Sequence, residues 1–239
     1  MTEPLDMSAL LAVMDSQGQE LERDPLFSGA EIEVLHGYLG GSSGDPEDLF
    51  GETLQGMSEA YRYGALWLVA RAWPAQRACE FGDPLEDEEV RYLAGNVRVA
   101  GNLRLPDNAI VVVTGDLEIT GNLVEDRAYY SMVGVGGRLS AKNVLVSGEL
   151  LAREVVLSED YITYGNDYSS RIGRLQARRY LSEEHFDHIL AKEVEREVRG
   201  RPLPGAQELL PAKVLDYDSG ESDPYPAWER LQRLLLGAA

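Results

Sequence analysis

The sequence predicts a mixed, mainly β protein: a β-solenoid of about four to five coils, flanked by an N-terminal helical segment and C-terminal helices. The first observation is a regular repeat. The tripeptides Gly-Asn-Val at 95–97 and Gly-Asn-Leu at 101–103 are matched 20 residues later by Gly-Asp-Leu at 115–117 and Gly-Asn-Leu at 121–123. The second observation is alternation of apolar and polar residues between the glycines, which places one set of side chains on a single face of a strand. Short strands with a fixed period are typical of stacked coils.

The alternation also predicts which side chains point into the solenoid. A strand of three to five residues cannot bury an apolar face alone, so each coil needs the next one as its partner. Glycine at each corner allows the left-handed backbone of a tight turn, and the following Asn or Asp tolerates that region. The run at 109–113, Ala-Ile-Val-Val-Val, is expected to be the most buried. The expected inward set is Val97, Val99, Leu103, Leu117, Ile119, Leu139 and Leu175.

The later coils follow the period more loosely. The Gly-Arg-Leu tripeptides at 137–139 and 173–175 lie 36 residues apart, so one coil between them has lost its marker or carries an insertion. The segments 148–150 and 155–157 are candidates for the missing coil. The alternative fold is an antiparallel sandwich with glycine turns, but such a regular repeat favours the solenoid.

Residues 1–90 are predicted to be helical, residues 91–181 to form the solenoid, and residues 182–239 to form C-terminal helices with an acidic loop. Ser8, Ser28 and Asp45 are candidate N-caps for three helices in the first segment. The apolar residues of the third helix recur every three or four positions from Leu54 to Ala72. We expect this helix to cover the open end of the solenoid, where strand edges would otherwise be exposed.

A helix is also predicted from Ser182 to Arg199. Ser182 is a suitable N-cap, and Phe186, Leu190, Val194 and Val198 recur every four residues. A loop with Pro and Gly follows at 201–211, then an acidic stretch at 216–223. The apolar residues Trp228, Leu231 and Leu235 predict a short closing helix.

Charge is distributed unevenly along this chain of 239 residues with a net charge of −19. Residues 1–90 hold 19 acidic and four basic side chains, whereas the remainder holds 22 and 18. An acidic field of this size repels nucleic acid and anionic membranes, and it attracts basic protein partners. Solubility alone is the alternative explanation. The single cysteine cannot form an intramolecular disulfide, and the N-terminus lacks a signal-peptide pattern, so we expect a cytoplasmic protein.

Few residues have the pattern of a catalytic or metal site. His185 and His188 would share a face of the predicted helix, but a zinc site needs a third ligand, and ordinary surface histidines are the alternative. Five carboxylates of the coils are candidates for the catalytic pair of a carbohydrate-active solenoid enzyme: Asp107, Asp116, Glu118, Glu159 and Asp160. Arg98, Arg104 and Arg138 are placed to offset such charges in ladders, which favours a structural role. We therefore expect no catalytic residues, no metal and no cofactor.

Two segments are candidate partner-binding sites. Five acids lie within seven residues, at the junction of the helical segment and the first coil: Asp83, Glu86, Asp87, Glu88 and Glu89. They either form a charged contact for a basic protein or are a solvated linker. The second segment is a Tyr-rich loop with Tyr164, Asp167 and Tyr168, which either belongs to a binding surface or packs on the C-terminal helix.

The central block, at about residues 93–190, resembles the short β-helix proteins of bacteria that are loosely grouped as bactofilin-like or polymer-forming. The matching coils are the segments at 113–119, 135–141 and 172–177, which read VTGDLEI, VGGRLSA and IGRLQA. Proteins of this kind with added helices also occur as immunity proteins of polymorphic and type VI-secreted toxins. The resemblance implies a β-helix and a role in binding or assembly.

The sequence and the resemblance together lead to an expected function. We expect a non-enzymatic, acidic immunity protein that neutralises a secreted, basic toxin domain by covering its active site. The alternatives are a bactofilin-like structural scaffold and, third, a carbohydrate-active enzyme. Because helices are predicted at both ends of the coils, we expect a monomer or small oligomer that binds neither nucleic acid nor membranes.

Overall fold

Three parallel strand ladders form the sides of a β-solenoid of about five turns, so the predicted fold class is confirmed. The computed structural model describes residues 5–45, 49–50, 57–73, 78–126, 130–165, 168–183, 185–201, 203–216 and 225–237. Each turn passes through three faces in the same order, here called faces A, B and C. Every strand pairs in parallel with its counterpart one turn later, in the hydrogen-bonding pattern of stacked coils.

The strands of the early turns are short, and those of the later turns run across the corners. Seven short strands form the early turns, each on one face: β1 (Ala78–Glu80, face B), β2 (Val90–Leu93, face A), β3 (Asn96–Val99, face B), β4 (Leu103–Leu105, face C), β5 (Ile110–Val113, face A), β6 (Leu117–Ile119, face B) and β7 (Leu123–Glu125, face C). The later strands are β8 (Met132–Ala141, faces A and B), β9 (Val144–Val146, face C), β10 (Glu149–Leu157, faces A and B), β11 (Asp160–Tyr164, face C), β12 (Ser169–Glu183, all faces) and β13 (Phe186–Arg199, all faces).

The interior of the solenoid is apolar, and the seven side chains predicted to point inward all belong to its core. The run 109–113 is fully buried, as predicted, because the two sides of this strand face different cores. Val111 and Val113 point into the solenoid, whereas Ile110 and Val112 pack outward against helices.

The Gly-Asn repeat has a different structural basis from the predicted turn conformation. Gly95 and Gly101 do adopt positive φ, at 107° and 92°. At position 115, however, glycine is required because the backbones of two neighbouring turns approach closely. An added Cβ on Gly115 would lie 2.7 Å from the backbone of Gly95 on the neighbouring turn. The Asn side chains bridge turns rather than bonding their own backbone. Asn96 Oδ1 accepts the N–H of Asp116 at 2.8 Å, and equivalent bonds link Asn102 to Asn122 and Asn143 to Asp160.

The coil without a glycine marker is β10, as the candidate segments indicated. Its residue Val155 pairs with Leu139 of β8 and Leu175 of β12. At the corner, Arg153 takes the position of the marker, and its carbonyl lies 2.5 Å from where a Cβ of Gly173 would be.

The helix predicted from Ser182 to Arg199 is wrong, because these residues end β12 and form β13. Ile189, Val194 and Val198 each follow a residue of β12 by 17 positions and pair with it: Ile172, Ala177 and Leu181. A continuous parallel ladder and the partial burial of these side chains outweigh the helical propensity of the Glu, Lys and Arg residues between them. The solenoid strands therefore continue to Arg199.

The N-terminal segment forms three helices: α1 (Met7–Glu22), α2 (Ile32–Gly41) and α3 (Glu59–Ala72). The N-caps differ from the predicted ones. Asp6 caps α1, accepting from Ser8 N at 3.0 Å, and Glu31 occupies the N-cap position of α2. The predicted start of the third helix after Asp45 lies largely outside the described residues.

Helix α3 lies along face A rather than over the end of the solenoid, so the predicted position is wrong. It packs on β8, β10 and β12, where a Cβ on Gly134 would be 3.4 Å from Leu66. The outward side chains of face A are apolar, including Ile110, Met132 and Leu151, and they form one core with the helices. Buried on one side by face A and on the other by α1, α3 has no polar stripe.

The C-terminal segment covers face C. It contains α4 (Ala206–Leu209), the hairpin strands β14 (Leu215–Asp216) and β15 (Tyr225–Pro226), and the predicted closing helix, α5 (Trp228–Leu236). Trp228 and Leu231 join the outward side chains Val124, Leu145 and Ile162 in a third core. Faces A and C are thus covered, whereas face B presents charged side chains to solvent.

Candidate protein-binding surface

An acidic loop, residues 83–89, lies at the first turn of the solenoid and leads into β2. The side chains of Asp83, Glu86, Asp87 and Glu88 are exposed, and within the described residues none of the four forms an ion pair. Glu89 differs, because its Oε1 is 2.6 Å from Arg91 Nη2. The loop therefore presents a concentrated negative charge, with Arg104 close enough for Asp87 to act on its charge.

The backbone of the acidic loop is held in place by several hydrogen bonds. Arg91 Nη1 donates to the carbonyl of Asp83 at 2.5 Å, and Glu88 N donates to the carbonyl of Asp107 at 2.8 Å. Glu88 adopts a left-handed backbone with φ of 63°, which is unfavourable for a residue with a Cβ. Glu86 N donates to Glu89 Oε2 at 2.9 Å. These contacts restrain the backbone from which the carboxylates project.

A groove of about 530 Å³ adjoins this loop. Phe81 and Leu85 form its apolar part and pack on the first turn of the solenoid core. Arg98 and Arg104 line the opposite side, where Arg98 is 3.6 Å from Glu118 and Arg104 binds Asp126. The acidic loop and this groove together offer charge, apolar area and a recess in one place.

The Tyr-rich segment does not join this surface. Tyr164 is buried in β11 and stacks on Trp228 of α5, with ring centroids 4.7 Å apart. Tyr168 is half-buried against Tyr130 at 4.8 Å, beside face A. Of the two alternatives, packing on the C-terminal helix therefore holds for Tyr164, and Asp167 lies outside the described residues. Several turns separate these tyrosines from the acidic loop.

A second acidic groove, missed in the sequence analysis, lies between α1 and α2 and has a volume of about 730 Å³. Met14, Gly18 and Ile32 form its floor. Its rim carries Asp15, Glu20, Glu22 and Glu33 without a lysine or arginine among the lining residues. The sequence does contain one indication of this acidic groove, because residues 7–22 and 32–41 include no Lys or Arg.

His185 and His188 do not form a shared site. The side chain of His188 is exposed at the start of β13, whereas that of His185 is buried. His185 Nδ1 lies 2.9 Å from Asp187 Oδ1, and Nε2 lies 3.1 Å from the carbonyls of Ser147 and Gly148. Burial lowers the pKa of His185, but the hydrogen bond and charge of Asp187 outweigh it, so the net pKa is raised. The His185 ring is therefore held on both sides by acceptors of the protein, which indicates a structural role.

Asp187 is the centre of a buried polar cluster at the last turn. It accepts hydrogen bonds from Tyr180 at 2.5 Å, Thr163 at 3.1 Å and Tyr161 at 3.3 Å. Glu125 lies nearby and accepts the N–H groups of Ser147 and Gly148. Complete burial raises the pKa of Glu125 to about 7. The cluster is enclosed, with the His185 and Asp187 side chains fully buried, so it offers no route for a substrate.

The candidate catalytic carboxylates Asp116, Glu118, Glu159 and Asp160 have structural partners, and the carbonyl of Asp107 accepts the N–H of Glu88. Glu118 pairs with Arg98 and Glu159 with Lys142 at 3.5 Å, while Asp160 binds Arg179, whose Nε donates at 2.8 Å. Asp116 Oδ1 accepts the N–H of Arg138 at 2.8 Å. The expected charge ladders are present on face B, where Arg138 and Arg174 both bind Glu154. Among the described residues, no group of three His, Cys, Asp or Glu side chains is placed to hold a metal ion.

Comparisons with family models, curated proteins and solved structures gave no significant match to this chain. The resemblance to bactofilin-like coils therefore extends to the β-helix itself, which the structure has, and no further. None of the described helices has both the length and the apolar character needed to span a bilayer.

Proposed function

We propose that this protein is a non-enzymatic binding protein that captures a basic protein partner. The observation that carries the proposal is the acidic loop at 83–89, with four exposed carboxylates that lack ion-pair partners within the described residues, beside a groove with an apolar wall. Unpaired charge at the rim of a recess suits electrostatic capture followed by burial of an apolar side chain.

The charge of the whole chain supports the same function. Residues 1–90 have a net charge of −15, and they contribute both the acidic loop and the acidic groove between α1 and α2. Such a field raises the association rate with a basic partner and opposes contact with nucleic acid and anionic membranes. The finer proposal is an immunity protein of the cytoplasm that neutralises a basic toxin domain by covering its active site.

The test combines co-expression with kinetics. The protein is co-expressed with the product of the adjacent open reading frame, and pull-down and rescue of toxicity are scored. Asp83 and Asp87 are replaced by Asn, and Glu86 and Glu88 by Gln. We expect association with the captured protein to slow by about tenfold or more at low salt, with a smaller difference at physiological salt.

A control variant separates the acidic loop from net charge. Glu31, Glu193, Glu195 and Glu208 are exposed acids on other surfaces, and their replacement by Gln changes the total charge equally. If this control slows association as much as the loop variant, the loop is not the contact. Failure of the adjacent gene product to bind at all rejects the toxin proposal.

The second candidate function is a structural scaffold, favoured by the open end of the solenoid. Within the described residues β13 pairs with β12 alone, and Phe186 and Leu190 are exposed large apolar side chains on it. An unpaired strand edge is a template for further pairing. Two inward positions of this turn, Lys192 and Glu197, are charged, however, which opposes stacking of a second apolar core on this end.

A further inference from the structure

A pocket of about 470 Å³ lies between the end of face C and the start of α5. Three arginines line it: Arg201, which follows β13, and Arg230 and Arg233 of α5. Two carboxylates, Glu183 and Glu229, are also present, so the described residues of the lining carry one net positive charge. Its volume is in the range of small-molecule sites.

This positive pocket is unusual in a chain with 41 acidic and 22 basic residues. The groove between α1 and α2 is lined by four carboxylates and no lysine or arginine. The overall field repels anions, so an anion is retained only where cations converge locally. Two of the three arginines belong to one short helix, on successive turns, which brings their guanidinium groups to the same side.

The arginines are held by contacts that preserve their charge. Arg230 Nη1 donates to the carbonyl of Leu215 at 3.2 Å, and Arg233 Nε donates to the carbonyl of Glu229 at 3.3 Å. Each of these bonds uses one of the five N–H donors of a guanidinium group. Arg201 Nε lies 3.9 Å from Glu183 Oε1, a carboxylate that is itself buried. The positions of the cations are therefore partly fixed before a ligand arrives.

One wall of the pocket is rigid and apolar. Trp228 lines it and stacks on Tyr164 with an interplanar angle of 15° and centroids 4.7 Å apart. Both residues are largely buried, with 3% of Tyr164 and 8% of Trp228 exposed. A cation cluster beside an aromatic wall suits a ligand with a charged end and a less polar body.

We propose that this pocket binds a small molecule with two or more phosphate groups. The planar guanidinium fork matches phosphate oxygens in a bidentate arrangement, and three such forks can engage more than one phosphate group. A single monovalent ion would neither fill this volume nor engage all three arginines. The proposal is independent of the acidic loop and of a protein partner.

Binding is measured by isothermal titration calorimetry on the full chain at low ionic strength, with inorganic pyrophosphate as the probe. Arg230→Gln together with Arg233→Gln is expected to weaken binding by at least about tenfold, because both cations are removed from the site. Arg98→Gln together with Arg178→Gln is the matched control, since it removes two cations from face B and its corner. The control is expected to change the affinity by less than about twofold.

A second variant and a second anion make the test decisive. Arg201→Gln alters a largely exposed side chain, so it reports on the site even if the α5 variant unfolds. We expect it to weaken pyrophosphate binding as well. Absence of binding to the intact chain, or equal weakening by the control, overturns the site. Citrate binding as tightly as pyrophosphate shows a general polyanion site and overturns the assignment to phosphate ligands.

Discussion

At the scale of single residues, the corner glycines and the asparagines after them act between turns of the solenoid. Gly115 N donates to the carbonyl of Gly95 at 3.0 Å, and Asn96 reaches the next backbone N–H. Amide side chains continue this ladder, as Asn143 Nδ2 donates to Asn122 Oδ1 at 2.9 Å. The sequence repeats because the same contacts with the neighbouring turn recur in each turn.

The replacement Gly115→Ala is expected to destabilise the protein by about 1–3 kcal/mol. Its Cβ would lie 2.3 Å from Asn96 Oδ1 and 2.7 Å from the backbone of Gly95, which is fixed by the ladder. Gly37→Ala is the control, because this exposed glycine of α2 has nothing within 4 Å of its added Cβ. There we expect stabilisation by about 0.5–1 kcal/mol. The free energy of unfolding from urea titration tests both, and equal effects would contradict the close-approach explanation.

Because burial raises the pKa of Glu125, we expect the protein to lose stability as the pH rises. Burial raises its pKa from 4.5 to about 7 in the folded state, so the folded protein holds this proton more tightly than the unfolded chain. Its contribution is therefore complete below pH 4.5 and is lost as pH rises to about 7, by an amount on the order of 3 kcal/mol. His185, whose pKa is also raised, acts in the same direction at higher pH.

The measurement compares the intact protein with Glu125→Gln by urea unfolding at several pH values between 4.5 and 8. The amide keeps an oxygen for the N–H groups of Ser147 and Gly148 but carries no charge. We expect the variant to lose less stability over this range. Parallel stability curves for the two proteins would show that Glu125 ionises normally despite its burial.

At the scale of elements, the strands are predicted correctly where glycine marks the corners of the coils. The prediction is wrong where the local helix propensity of a segment opposes its pairing with a neighbouring strand. The inward residues of the early turns were assigned correctly from alternation alone. β13 was missed, because its apolar residues recur every four positions and its polar residues favour a helix. The 17-residue offset from Ile172 to Ile189 was the available signal, although it differs from the 20-residue period of the early turns.

The candidate site could be predicted only where its residues are close together in the sequence. The acidic loop is contiguous in sequence, so 83–89 could be identified directly, and the structure leaves four of its carboxylates exposed. The groove between α1 and α2 and the arginine pocket required knowledge of packing, because Arg201 and Arg230 come together only when the C-terminal segment folds onto face C. The burial of Tyr164 was likewise decided by Trp228, 64 positions away.

The replacement Trp228→Ala tests how α5 is held on face C. It removes the stack on Tyr164 and much of the apolar contact of the helix, so we expect a loss of about 3–5 kcal/mol. Hydrogen exchange should accelerate in α5 and at the outer side of β11 while β5 and β8, on face A, remain protected. Uniform acceleration over all strands would show that face C and the solenoid unfold as one unit.

At the scale of the whole molecule, two faces of the solenoid are covered, and the third carries paired charges. Face A is buried by the N-terminal helices and face C by the C-terminal segment. Ion pairs between turns dominate face B, including Arg138 and Arg174 with Glu154. The surfaces left for contacts are therefore the acidic N-terminal region, the arginine pocket and the open end at β13.

The charges inside the last turn predict that the intact protein is a monomer or small oligomer. Lys192 and Glu197 replace the inward Leu175 and Tyr180 of the previous turn, and they pair with each other at 2.8 Å. Lys192 also lies 5.3 Å from the centre of the Tyr180 ring. Stacking another copy on this end would bury these groups at a substantial desolvation cost.

Lys192→Leu together with Glu197→Leu removes that cost and is expected to increase self-association, measured by light scattering at physiological salt. Glu193→Leu together with Arg196→Leu changes two outward residues of the same strand without altering net charge, and this control is expected to associate less. Long filaments of the unaltered protein would contradict the prediction and favour the scaffold function instead.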